Sequence, residues 1–233
     1  MAGVLAVSLA ACSSAPPAKP WQVRSLAASE LAEAAWLDGA ERVAAHEWDK
    51  ARQQIARTGQ PQALAQLELR RCAVLAASLD WQPCAAFGPL APASGEAARA
   101  YAAYLQGQHL GSAQRGLLPP AQQGPAALDA VDARAVATLQ AVPEPLSRLL
   151  AIALLARRSG QMPPELMQLA IDTASEQGWR RPLLAWLLRQ QSHAQTHGLA
   201  DLLEQTRLRL AIVQGELGQA DAAPKAANAP KAP

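Results

Sequence analysis

Residues 160–218 read GQMPPELMQLAIDTASEQGWRRPLLAWLLRQQSHAQTHGLADLLEQTRLRLAIVQGELG, and the punctuation of this stretch decides the fold. Glycines stand at Gly160, Gly178, Gly198 and Gly218. Between them apolar side chains return at helical spacing, as in Leu166, Leu169, Ala170 and Thr173, and again in Leu203, Thr206, Leu210 and Val213. Pro163-Pro164 and Pro182 follow two of the glycines. Proline is tolerated at a helix start, where its missing N–H has no partner in the helix anyway. The pattern predicts helices over 163–177, 181–197 and 199–217. Each must cover an apolar stripe, and short turns let neighbours do this as antiparallel hairpins.

Upstream the same reading continues. Helices are expected over 125–141 and 144–159, and over 96–107 with Tyr101, Tyr104 and Leu105 on it. A long helix is expected over 25–58, with Ser25 as its N-cap and a break at Gly39. Its apolar face runs through Leu37, Ala40, Ala44, Trp48, Ala51 and Ile55. Gly59 and Pro61 then stop one helix and start another over 62–80. Residues 83–95 and 107–124 are rich in glycine and proline and read as loops; a chain of two parts would divide at the second.

Half of the 233 residues are apolar, mostly Ala and Leu, with a single Phe, Phe87. Such side chains lose little on entering a helix, whereas strands favour β-branched and aromatic ones. The expected class is therefore all-α: antiparallel helical hairpins, stacked either as an α-solenoid or as an irregular helical bundle. The last pair, Pro182 to Leu217, is similar to a tetratricopeptide hairpin in placing Gly198 at the turn, although the family's Trp, Gly-Tyr and Ala-Phe positions are not matched.

At the other end, Leu9-Ala10-Ala11-Cys12 closes a short apolar run and is followed by Ser13-Ser14. This resembles the lipobox of bacterial lipoproteins, although no Lys or Arg precedes Cys12. The resemblance implies that residues 1–11 are a signal peptide, that signal peptidase II cuts before Cys12, and that Cys12 carries the lipid. Ser13, rather than Asp, at the next position implies the periplasmic face of the outer membrane. Residues 12–24 then form a lipidated, Pro-rich tether, because Pro16, Pro17 and Pro20 oppose helix and extend the chain. The body spans 25–218, and the Ala/Pro/Lys-rich tail 219–233 is expected to be disordered, having no apolar face to bury.

With Cys12 acylated, Cys72 and Cys84 remain, an even number in an oxidising compartment. Cys72 lies on the seam Ala65, Leu69, Cys72, Ala76, Leu79, and Pro83 turns the chain back towards it. A disulfide is expected; the alternative is two buried thiols.

No phosphate-binding loop, dinucleotide fingerprint or Gly-x-Ser-x-Gly elbow occurs. No Glu is followed by Ser, as the helical lytic transglycosylases require. His193 and His197 have the spacing of a two-histidine metal site, yet lack the Glu of the zinc protease motif and stand at a helix end. They read as solvated or capping residues. Formal net charge is +2 with acids and bases interspersed, which does not describe a nucleic-acid binder. No metal or cofactor is expected. The six tryptophans read as fillers between small Ala helices; a sharper reading makes Trp179, Arg180, Arg181 and Trp186 a contact for a partner protein. The leading expectation is a non-catalytic adaptor or assembly factor held at the membrane. An envelope glycan enzyme with an acidic pair assembled by the fold, and a small-ligand carrier using an interhelical pocket, are the alternatives.

Overall fold

Proline at position 20 starts the first helix rather than prolonging the tether. In the computed structural model, which describes residues 18–215, α1 runs Pro20–Leu37. The Gln22 side chain accepts the Lys19 backbone N–H at 2.8 Å and closes its first turn. Ser25 is no cap: it sits on the buried face of α1, and its hydroxyl donates to the Gln22 carbonyl at 3.1 Å. Residues 20–24, expected in the tether, are thus helical. Cys12, the leader and the tail 219–233 lie outside the described residues.

Gly39, with φ +86°, breaks the long helical pattern where expected, because an L side chain resists that backbone. Helix α2 (Glu41–Ala56) therefore folds back on α1, and α3 (Pro61–Ala77) follows. The stretch after the Cys72–Cys84 disulfide is less irregular than its prolines suggest. It forms a 3-10 helix, η1 (Ala85–Ala93), that contains Pro89 and Pro92. Next come α4 (Glu96–Leu105), the single turns α5 (Ser112–Arg115) and α6 (Pro120–Gln123), and the short η2 (Pro125–Ala127).

The helix expected over 125–141 is divided. After η2 the chain is extended at Leu128, and Asp132 caps a new helix, α7 (Ala133–Gln140), by accepting the Ala135 N–H at 2.8 Å. The regular half follows as α8 (Pro145–Ser159), α9 (Pro164–Glu176), α10 (Arg180–Thr196) and α11 (Ala200–Gln214). Gly160, Gly178 and Gly198 hold the turns between these four, each at φ between +66° and +69°. Among the described residues there is no strand.

Two apolar cores share one helix. Trp36, Ala44, Trp48 and Ile55 of the α1–α2 hairpin pack on Leu67, Val74 and Leu75 of α3. The opposite side of α3, with Ala65, Leu69, Ala73 and Ala77, joins the larger core around α8. In α8 every residue from Leu149 to Ala156 is buried, the mark of a helix enclosed on all sides.

Packing of α3 on α8, and of α1 on α10, joins segments distant in sequence. In a solenoid each unit touches only its neighbours, so the hairpins form an irregular bundle. Residues 107–124 pack onto the larger core. Leu110 and Leu118 enter the larger core, and buried Gln122 accepts from the Tyr104 hydroxyl at 2.9 Å while donating to the Ser147 carbonyl at 2.9 Å.

Candidate functional site

Residues of α3, α4 and the start of α8 line a cleft of about 550 Å³. Small side chains create it: Ala73 on α3 and Ala97 and Ala98 on α4 leave space where larger residues would close the gap. Leu69, Leu146 and Leu150 supply an apolar floor, and Leu118 from the α5–α6 connection closes one side. The α4 wall is held in place by the Cys72–Cys84 disulfide, whose Cα atoms are 5.9 Å apart and which ties η1, and through it α4, to α3.

The charged and phenolic groups of the lining are Glu33 from α1, Arg70 from α3, Tyr101 from α4 and Glu144 at the start of α8, with Gln66, Ser94 and Ser147 beside them. Arg70 is committed within the chain. Its Nε donates to Glu33 Oε2 at 2.9 Å and its Nη1 to Ser29 Oγ at 3.1 Å. Glu144 caps α8, accepting the Leu146 N–H at 3.0 Å and the Ser147 N–H. It is nonetheless exposed, and it lines the cleft.

Tyr101 differs from Tyr104, three residues further along α4. Tyr104 gives its hydroxyl to Gln122, whereas the Tyr101 hydroxyl has no hydrogen-bond partner among the described residues. Burial pushes the Tyr101 phenol well above its ordinary value, and the carboxylates of Glu144 and Glu33 push it further. It therefore remains protonated, able both to donate and to accept.

A second hollow of about 580 Å³ lies between α1, the end of α2 and the start of α3. It shares Gln66 and Arg70 with the cleft, so the two sit on either side of the Arg70–Glu33 pair. Its lining is richer in glutamine and serine.

The residues expected to contact a partner lie elsewhere and do not form one exposed patch. Trp186 is 0% exposed and donates its indole N–H to the Ala77 carbonyl at 3.4 Å. Trp179 is half-buried and packs against both cores. The Arg181 guanidinium lies 3.8 Å from the centre of the Trp36 ring, with one nitrogen 3.0 Å from Glu41. Arg180 reaches the Val213 carbonyl at 3.1 Å. The start of α10 thus clamps α1, α2 and α11 together, an internal task that the sequence pattern does not distinguish from an external one. Trp36 and Trp48 are buried too, as fillers between alanines.

His193 and His197 stack with ring centres 4.2 Å apart, and His197 Nδ1 lies 2.9 Å from the His193 carbonyl. No group of three or more His, Cys, Asp or Glu suited to a metal occurs among the described residues.

Sequence reading passed over Glu33, Arg70, Tyr101 and Glu144 because they come from four separate helices. One local signal was present: Glu144 precedes Pro145, which marks a helix start but says nothing about a cleft. No protein-family model, curated protein or solved structure matches the chain.

Proposed function

We propose that this is a lipid-anchored binding protein of the bacterial envelope, which holds a ligand in the cleft between α3, α4 and α8 and performs no chemistry on it. The observation that carries the reading is the cleft itself. Its volume and its make-up, an apolar floor under a few converging polar groups, are those of a ligand site. The lipobox at Leu9–Cys12 supports the anchor and the envelope location, and the Cys72–Cys84 disulfide accords with an oxidising compartment.

An envelope glycan enzyme would need a free acid and a free base. Glu33 is paired with Arg70, which leaves Glu144, the cap of α8, as the single cleft carboxylate without a cation and no second free carboxyl to work with it. The arrangement supports binding better than acid–base catalysis.

The full chain is expected to bind an environment-sensitive apolar dye saturably, with fluorescence titration as the readout. Ala97→Trp, at an exposed wall position, should abolish that binding while leaving the circular dichroism spectrum unchanged. Absence of saturable binding by the unaltered chain rejects the reading.

The adaptor reading keeps one specific support. Val23, Leu26 and Leu31 on α1 are each more than half exposed, as are Leu208 and Ile212 on α11. A partner using the first surface would be lost from crosslinked envelope fractions with Leu26→Glu and retained with Ala97→Trp.

A further inference from the structure

The charges around the cleft say what kind of head group a ligand would carry. Two carboxylates and one guanidinium line the mouth. The guanidinium is spent on Glu33 and Ser29. The next cation along α8, Arg148, points elsewhere: its Nε and Nη2 donate to the Val142 carbonyl at 3.0 and 2.9 Å, and its Nη1 to Thr173 Oγ1 at 3.3 Å. What remains is one carboxylate without a cation, Glu144, near one phenol without a partner, Tyr101.

Each Glu144 oxygen accepts a single backbone hydrogen bond, and a carboxylate has about four acceptor positions, so acceptor capacity is left on a residue that lines the cleft. An anionic ligand would be repelled here. A neutral one would leave the charge unused. An ammonium group over the mouth would meet Glu144 and donate to Tyr101, while its apolar body covered Leu69, Leu146 and Leu150.

We infer, resting on the binding role proposed above, that the ligand of this cleft is an organic monocation: a protonated amine on an apolar body. Glu144 is the charge that selects it, and Tyr101 is the acceptor that orients it.

Three probes with one body and three heads test this: 4-phenylbutylamine, 4-phenylbutanol and 4-phenylbutyrate, titrated by calorimetry into the full chain at low and high salt. The amine is expected to bind at least about tenfold more tightly than the acid. Its preference should shrink at high salt, since exposed charges are screened. Glu144→Gln should remove most of the amine's preference over the acid, and Glu144→Asp, which keeps the charge, should restore part of it.

Equal binding of the three probes, or tightest binding of the acid, overturns the charge inference while the binding role stands. If none binds, or if Ala97→Trp leaves amine binding intact, the cleft reading falls and the inference with it. The unaltered chain and Ala97→Trp decide between these outcomes, so a loosened α8 in Glu144→Gln does not spoil the test.

Discussion

Glu68 is the most conspicuous polar residue of the interior, 3% exposed on α3 between the two cores and paired with Arg52 of α2 at 2.7 Å. Burial raises its carboxyl above the ordinary 4.5, and the charges of Arg52 and Arg71 only partly oppose this. A carboxyl raised on folding binds its proton more tightly in the native state, so its contribution favours folding at low pH and is lost as pH climbs from 4.5 through the raised value. Thermal melts across that range should show the natural chain losing stability relative to Glu68→Gln. A flat difference between the two would contradict the assignment. Trp186→Ala removes a fully buried side chain and should cost about 3–5 kcal/mol in urea unfolding. Arg181→Ala, which gives up the Trp36 ring and Glu41, should cost only about 1–2 kcal/mol, because part of its side chain meets solvent.

At the scale of elements, stability hangs on how helices end and on what ties them together. The disulfide spans 12 residues and closes a loop at the junction of α3 and η1, and opening it should cost about 3 kcal/mol by the chain-entropy argument. A reductant and the double Cys72→Ser, Cys84→Ser variant should lower the melting temperature by the same amount. Because η1 leads into α4, the same treatments should also weaken dye binding in the cleft; dye affinity untouched by reduction would separate the two. Asp132→Ala, removing the cap of α7, is worth about 1 kcal/mol in denaturant midpoint.

For the whole molecule, sharing α3 between both cores predicts that the α1–α2 hairpin and the α8 assembly unfold in one transition. Hydrogen exchange should be slowest in α8 and the centre of α3. Among the longer helices it should be fastest in α11, where only Thr206 and Leu210 are buried. Faster exchange in α8 than in α11 would mean that the packing is wrongly assigned.

Much of this protein was written locally. Alanine and leucine at helical spacing made the chain all-α, and Gly39, Gly160, Gly178 and Gly198 placed turns where a left-handed backbone was needed. Pro61, Pro145 and Pro164 stand at helix starts, and Cys72 on a helical seam before a turn was enough to expect its bond to Cys84. These features depend on neighbours within a few residues, so a sequence read in windows contains them. Where α3 crosses α8, and that Trp186 points inward while Tyr101 lines a gap, depends on side chains from separate helices filling the same space. Periodicity shows that a helix has an apolar face, but not which other helix covers it or how much of it is left uncovered. The cleft is that uncovered remainder, and only the tertiary packing of α3, α4 and α8 decided it.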